Sequence, residues 1–302
     1  MINIIIVNYN GLQYLDHCLS SLIQQNYRDF DVTIVDNASQ DGSVAYIQEK
    51  FPWVRVVQSQ ENQGYGAAVN KGILKSSGEY ILTLNNDTEV HPDFLRELLI
   101  AIESSPYNGM AAPKMLFPDG RINSTGLAIS RSGAVWDRGI FEEDKGQYDT
   151  CTSILGPCGG AALYRRTMLE NIGLFEEDYF LYYEDADIAL RACNGGWKCV
   201  FAPHARVMHL HGATAGFQSD LYVYYISRNI LWNVVKNYPL KELVLSLPFI
   251  IGRSLVAIPY YSLRGQGKVV LKAKLDAVRR MGEWWRKRGK AERRQNTRFL
   301  LH

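Results

Sequence analysis

The chain has 302 residues, 47% of them hydrophobic and 21% charged, a composition that suits one catalytic domain with an appendage and excludes a disordered protein. The net charge of +2 is unevenly divided: residues 264–302 carry thirteen Lys and Arg against three Asp and Glu, a net of +10, which leaves −8 in residues 1–263. A basic tail on an acidic body points to an anionic surface as a partner.

The first 120 residues alternate between strand and helix patterns. Residues 2–7 are a continuous apolar run, as expected of a strand buried on both faces. Asn10-Gly11 breaks it, and Leu12, Leu15, Leu19, Leu22 and Ile23 follow at helical spacing. Further strands are predicted over 32–35, 54–57 and 80–84, with helices over 43–50, 66–75 and from Pro92 to Ile102. This alternation predicts an α/β fold with a mainly parallel sheet covered on both faces, ligands binding beyond the strands' carboxyl ends. Those ends carry Asn8-Tyr9-Asn10, Asp36-Asn37 and Asn85-Asn86-Asp87.

Pro118-Asp119-Gly120 reads as a turn between two strands, and 130–153 as a long polar loop without period. A strand is expected over 159–164, a helix over 185–192 and a strand over 198–202. Beyond about 218 the pattern is mostly helical. Residues 243–263 are strongly apolar but contain Pro248, Arg253 and Pro259, which favours lying in a membrane interface over spanning it. Residues 268–294 are basic and carry Trp284-Trp285, the pattern of a helix resting on an anionic membrane. The competing reading is a helical hairpin packed on the domain or on a second copy in a homo-oligomer. A nucleic-acid partner is set aside because the apolar segment before the tail favours lipid. The expected division is therefore 1–215 and 216–302. The five cysteines, Cys18, Cys151, Cys158, Cys193 and Cys199, form no CxxC pair, so free thiols in a reducing compartment are expected. Met1 leads straight into the first strand without a basic region or a signal-length apolar run, which predicts a cytoplasmic location.

Each polar cluster has a plain and a chemical reading. Asn85-Asn86-Asp87 alone is a turn, or a carboxylate bridging a hard cation to a diphosphate. Asp36 can accept the imide N–H of a pyrimidine base, whereas Asp41 and Ser43 read as helix caps. The run from Asn62 through Gly64, Gly66 and Asn70 to Gly72 has small residues that let a ligand approach a helix N-terminus, but it is not a P-loop. Glu184-Asp185-Ala186-Asp187 opens a helix and suits its dipole, with Asp187 and Arg191 spaced to pair on the surface. The aromatic run that ends at Tyr183 can also desolvate Glu184 and Asp185, which makes a carboxylate a better base. His209 and His211 sit at alternate strand positions on one side.

Taken in this order, the motifs resemble the family 2 glycosyltransferases, and within them the rhamnosyltransferase-like branch. The resemblance spans about residues 2–215, with a weaker match at Tyr225-Ile226-Ser227-Arg228-Asn229. It implies a GT-A fold (Rossmann-like and nucleotide-binding), an inverting mechanism and Mg2+ or Mn2+ as cofactor. It also implies a dTDP- or UDP-sugar donor, with dTDP-rhamnose first and UDP-hexoses second. The implied acceptor is a glycan or a lipid-linked acceptor, and the implied location is peripheral, on the inner face of the cell membrane. By the same resemblance Asp36, Asn8 and Tyr9 line the nucleotide pocket, with Asn10, Asn37, Gly64, Asn70 and Asn86 beside them. Asp87 is the metal-binding aspartate, with His209 and His211 near the metal. Asp185 is the general base, paired with Glu184, and Gly160, Ala161 and Tyr183 line the substrate. The metal motif departs from the family pattern, since Asn85 holds its first position and leaves one carboxylate fewer. Two rivals are weighed: a nucleotidyltransferase, which wants a basic loop after the first strand and finds none, and a non-catalytic membrane scaffold of the same fold.

Overall fold

The computed structural model describes residues 1–150, 153–210 and 219–290. In chain order it contains β1 (Ile2–Asn8), α1 (Leu12–Ile23), β2 (Phe30–Asp36), α2 (Ser43–Lys50), β3 (Arg55–Gln58), α3 (Tyr65–Leu74) and β4 (Tyr80–Asn85). Then follow β5 (Thr88–Val90), α4 (Phe94–Glu103), β6 (Asn108–Leu116), β7 (Ile122–Ser124), β8 (Leu127–Ile129), β9 (Val135–Asp137), β10 (Ser153–Ile154) and β11 (Ala161–Arg165). The remainder is α5 (Arg166–Ile172), α6 (Glu184–Asn194), β12 (Lys198–His209), α7 (Asp220–Asn237), α8 (Leu240–Ser262), α9 (Gly267–Arg279) and α10 (Met281–Arg286).

The main sheet runs β3-β2-β1-β4-β11-β6-β12-β10, with β5 paired to β12 and β7 to β6. Its first half, β3-β2-β1-β4, is wholly parallel, so the carboxyl ends of these strands share one edge. The second half is mixed: β11 is antiparallel to both its neighbours, while β12 and β6 are parallel. β1 shows why its sequence is apolar throughout. Ile2, Ile4 and Ile6 enter one core with α1, α2 and α4, and Ile5 enters the opposite core with α3, α5 and α6.

The structure corrects three sequence expectations. The span expected as a structureless loop, 130–153, contains β9, which pairs with β8 as a separate hairpin. Asp144 and Asp149 of the same span close on the buried ammonium of Lys114. The strand expected over 198–202 extends to His209, bending at an irregularity after Ala202 before it pairs with β5. Asp187 and Arg191 do pair, at 2.7 Å, but Asp187 is wholly buried rather than on the surface. Burial alone would raise its carboxyl, yet Arg191 and Lys236 hold it down to about 2.

The C-terminal helices dock on the domain. Trp232 of α7 and Trp284 of α10 stack at 4.6 Å, both fully buried, and Tyr179 lies 4.8 Å from Trp284. Only Trp285 of the tryptophan pair is exposed. Part of the tail's positive charge meets the domain itself: Lys287 pairs with Glu176 and Asp178, and Arg280 with Asp178. In contrast, α8 is long and apolar enough to cross a membrane by length and composition, with 17% of its apolar window buried. Of the cysteines, Cys18, Cys158, Cys193 and Cys199 are free thiols, and Cys151 lies outside the described residues.

If α10 is integral to the domain, Trp284→Ala should cost about 3–5 kcal/mol, as for other buried tryptophans. The check is the urea midpoint of the full chain; an unmoved midpoint would make α10 a detachable appendage.

Candidate active site

The carboxyl ends of β1, β2 and β4 are tied together by one buried amide. Asn8 donates from Nδ2 to Asp36 Oδ1 at 3.0 Å and to Ser39 Oγ at 3.1 Å, and its Oδ1 accepts from Asn86 Nδ2 at 2.8 Å. The backbone of Ser39 donates to Asp36 Oδ2 at 3.0 Å. Gly11 permits this closeness, since a Cβ there would stand 2.0 Å from Asn86 Nδ2. Asn10 and Ala38 adopt left-handed backbone, with φ of 52° and 68°, and Asn10 accepts from the Gln40 backbone. Tyr9 is 40% exposed beside this cluster, with its ring available to a ligand.

Asn37 and Gly64 connect this end of the sheet to the acidic helix. Asn37 donates to Asn62 Oδ1 and to the Gly64 carbonyl. Gly64 has φ of 84°, and a Cβ on it would fall 2.4 Å from the Phe180 carbonyl, so no other residue fits. The next backbone N–H, of Tyr65, donates to that carbonyl at 2.7 Å. Asn70, expected among the nucleotide-binding residues, has its amide engaged with the Phe175 backbone and Glu177.

The segment before α6 is strained: Phe180, Tyr182 and Tyr183 all have left-handed φ, between 65° and 78°. Asn229 of α7 holds it by donating to the carbonyls of Tyr179, Leu181 and Tyr182 at 2.8–3.1 Å. Arg228 adds donations to the carbonyls of Asp178 and Tyr179. The hydroxyl of Tyr183 donates to the Gly133 carbonyl, so this side chain is buried against the β8–β9 hairpin.

Glu184 and Asp185 then open α6. Burial pushes the Glu184 carboxyl up, the Asp185 charge adds to it, and its Oε2 has no hydrogen-bond partner. Burial also raises Asp185, and the Asp137 carboxylate on β9 raises it further. The Gly159 backbone donates to Asp185 Oδ2 at 3.0 Å and the Ala186 backbone to its Oδ1 at 2.7 Å.

Asp87 and His209 meet on the other side of Gly159-Gly160. Asp87 Oδ1 lies 3.2 Å from His209 Nε2, both residues being buried. His209 Nδ1 faces Asn123 Oδ1 at 3.0 Å, and Asn85 Nδ2 stands 3.5 Å from Nε2. A Cβ on Gly160 would be 3.4 Å from His209 Cε1, and one on Gly159 would be 3.3 Å from Asp185 Oδ2. A pair of glycines thus separates the acidic dyad from the Asp87–His209 pair, and Ala161 continues from them into β11. His211 lies outside the described residues.

This order of polar strand ends, glycine pair and acidic helix start coincides with a known family. The model described as glycosyl transferase family 2 matches residues 3–173. The chain belongs to this family. An N-acetylglucosaminyl-diphospho-decaprenol L-rhamnosyltransferase of Mycobacterium tuberculosis is 28% identical over 236 residues, 70% of this chain and 77% of that protein. The mannosyltransferase PcManGT of Pyrobaculum calidifontis, solved with GDP-Man and Mn2+, superposes with a TM-score of 0.57 at 15% identity, covering 96% of this chain and 84% of that one. S. aureus TarS 1-349 with UDP-GlcNAc superposes at 0.58 and 18% identity, covering 94% and 80%. The fold is that of the GT-A glycosyltransferases, and the chain is a glycosyltransferase.

Four residues that the structure adds to the candidate site escape the sequence reading. Tyr65 donates from its hydroxyl to the Gly159 carbonyl at 3.0 Å. Asn123 falls in the strand expected after the 118–120 turn and Asp137 in the stretch read as a loop without period, and neither announces a role. Asn229 lies in the weaker match at 225–229, which was the available signal.

Replacing Asn8 by Leu would leave Asp36 Oδ1 and Asn86 Nδ2 without their shared partner. At about 1–3 kcal/mol for each buried group so stranded, the loss should be about 2–6 kcal/mol. Chemical denaturation measures it, and a loss below about 1 kcal/mol would mean that water replaces the amide.

Proposed function

We propose that this glycosyltransferase inverts configuration, moving rhamnose from dTDP-rhamnose to a hydroxyl of a lipid-linked or polysaccharide acceptor. The observation that carries the reading is the glycine pair. Gly159 and Gly160 lie between Asp185, whose carboxyl is raised, and the Asp87–His209 pair, so the acidic helix start and the cation-binding candidates stand on either side of backbone that carries no side chain.

Asp36 accepts the imide N–H of the base, and Tyr9 covers the ring. Asp87 and His209 suit a hard cation shared with the donor's phosphates: one carboxylate and one imidazole whose Nδ1 is oriented by Asn123. Among the described residues no group of three His, Cys, Asp or Glu is placed to hold a metal without substrate. Mg2+ or Mn2+ bound there supplies positive charge against the leaving diphosphate. Asp185 takes the acceptor hydroxyl's proton as that oxygen attacks the anomeric carbon from the face opposite the diphosphate. A single displacement inverts the centre and needs no glycosyl-enzyme bond. Glu184, raised by burial, remains in its acid form longer than Asp185 and limits the negative charge beside the base. The M. tuberculosis relative's name supports both rhamnose and a lipid-linked acceptor. The outward apolar side of α8 and the exposed Lys268, Lys272 and Arg279 support a peripheral site of action on an anionic membrane, on the cytoplasmic face.

The first test is thermal stabilisation by dTDP, UDP and GDP, each with and without Mn2+. A ligand at a hundred times its dissociation constant adds about 2.7 kcal/mol to the folded state. Stabilisation by dTDP that needs the metal is expected; a preference for UDP would transfer the donor to the UDP-hexoses, and indifference to metal would remove Asp87 from that role.

Asp185→Asn should lower transfer by at least about 100-fold while nucleotide stabilisation persists. A base works only when ionised, so its raised value moves the acid limb of kcat/KM above that of an ordinary carboxylate. Asp137→Asn removes one cause of the rise and should move that limb to lower pH. Retained anomeric configuration in the product, read by NMR, would sink the inverting mechanism.

A further inference from the structure

Gly159 and Gly160 have no side chains to pack, and hydrogen bonds to their carbonyls place them. The Asn85 N–H, at the end of β4, donates to the Gly160 carbonyl at 2.9 Å. The Tyr65 hydroxyl donates to the Gly159 carbonyl at 3.0 Å. Consecutive glycines have wide backbone freedom, so each bond restrains a peptide that would otherwise wander. The bond on Gly159 has a chemical consequence, because the N–H of the same residue donates to Asp185 Oδ2 at 3.0 Å.

Tyr65 is itself fixed through its backbone. It opens α3 directly after Gly64, whose carbonyl accepts from Asn37 and whose N–H donates to Asn62 Oδ1 at 3.0 Å. The Tyr65 N–H is bound to the Phe180 carbonyl at 2.7 Å, and its ring packs on the core that holds Ile5, Ala68 and Tyr164. Burial, with the Glu184 charge, holds the phenol far above its ordinary value, so the hydroxyl stays a donor.

The titratable groups facing Asp185 come from several elements. They are Asp137 on β9, Glu184 on α6, Cys158 before the glycine pair, Tyr65 on α3, Tyr164 on β11 and Tyr183 in the strained turn. Burial keeps the thiol and the phenols protonated. Asp137 and Glu184, where ionised, favour the neutral Asp185 carboxyl. The opposing influence is that of the backbone donors, Ala186 at 2.7 Å and Gly159 at 3.0 Å, which favour the carboxylate. Ala186 is set by the helix it belongs to, whereas the Gly159 N–H rides on backbone that the Tyr65 hydroxyl pins.

We propose that Tyr65 is a positioning residue for Asp185: its hydroxyl keeps the Gly159 N–H seated on the carboxylate, and so keeps that carboxylate ionised and aimed. The proposal takes its catalytic meaning from the reading of Asp185 as the base.

Tyr65→Phe removes the hydroxyl and keeps the ring, so the full chain should fold. With aspartate carboxyls isotope-labelled, the Asp185 signal is assigned by its absence in Asp185→Asn and titrated by NMR. Loosening one donor should raise its midpoint by about half a pH unit or more. Below the midpoint that lowers the ionised fraction by about three-fold. Tyr164→Phe removes a hydroxyl from the same core, one with no hydrogen bond to the glycine pair among the described residues, and should leave the midpoint in place. An unmoved or lowered midpoint in Tyr65→Phe would overturn the proposal. An equal rise in Tyr164→Phe would do so too, by making the effect a general loosening of the core. Transfer from dTDP-rhamnose to an N-acetylglucosaminyl-diphospho-polyprenol reports on the base separately. Its acid limb in kcat/KM should follow the carboxyl midpoint in wild type and in Tyr65→Phe. A limb that ignores a midpoint which does move would remove Asp185 as base and leave the hold of Tyr65 on the carboxylate standing.

Discussion

The amide of Asn229 reaches the carbonyls of Tyr179, Leu181 and Tyr182, and the placement of the acidic dyad follows from that grip. Three side chains in left-handed backbone cost about 1–3 kcal/mol each. Hydrogen bonds from a buried amide and from the Arg228 guanidinium return comparable amounts, about 0.5–3 kcal/mol each. Both donors come from α7, so the turn is held from this side only while that helix is docked. Docking in turn depends on the Trp232–Trp284 stack, which lies far along the chain from the residues it serves.

The same turn is fixed from the opposite side through Gly64. Asn37 at the end of β2 holds the Gly64 carbonyl, and the Tyr65 N–H holds the Phe180 carbonyl. A short rigid path therefore joins the Asp36 end of the sheet to the helix that carries Asp185. Tyr65 adds a second strut through its hydroxyl on Gly159, whose own N–H meets Asp185. On the reading proposed above, in which Asp185 is the base, such a path would hold the base and the donor pocket in fixed register.

The sequence made the parallel half of the sheet legible because each strand there is apolar on both faces and ends at an abrupt polar cluster. Asn8, Asp36 and Asp87 stood out as polar residues at the ends of such runs. Asn123, Asp137 and Asn229 did not, because their importance lies in partners 86, 48 and roughly 50 residues away, at His209, Asp185 and the 179–182 turn. Asn70 misled for the converse reason: a Gly-rich helix start suggests a ligand, whereas its amide closes on Phe175 and Glu177. Asp187 and Arg191 looked like a surface pair because spacing reports which side chains meet and says nothing of what covers them.

The basic tail shows how one net charge can serve two ends. Lys287 and Arg280 turn inward and neutralise Glu176 and Asp178, beside the strained turn, so part of the asymmetry between tail and body is satisfied within the molecule. Lys268 and Lys272 remain exposed, so the charge not met within the molecule is what the anionic membrane proposed above would meet.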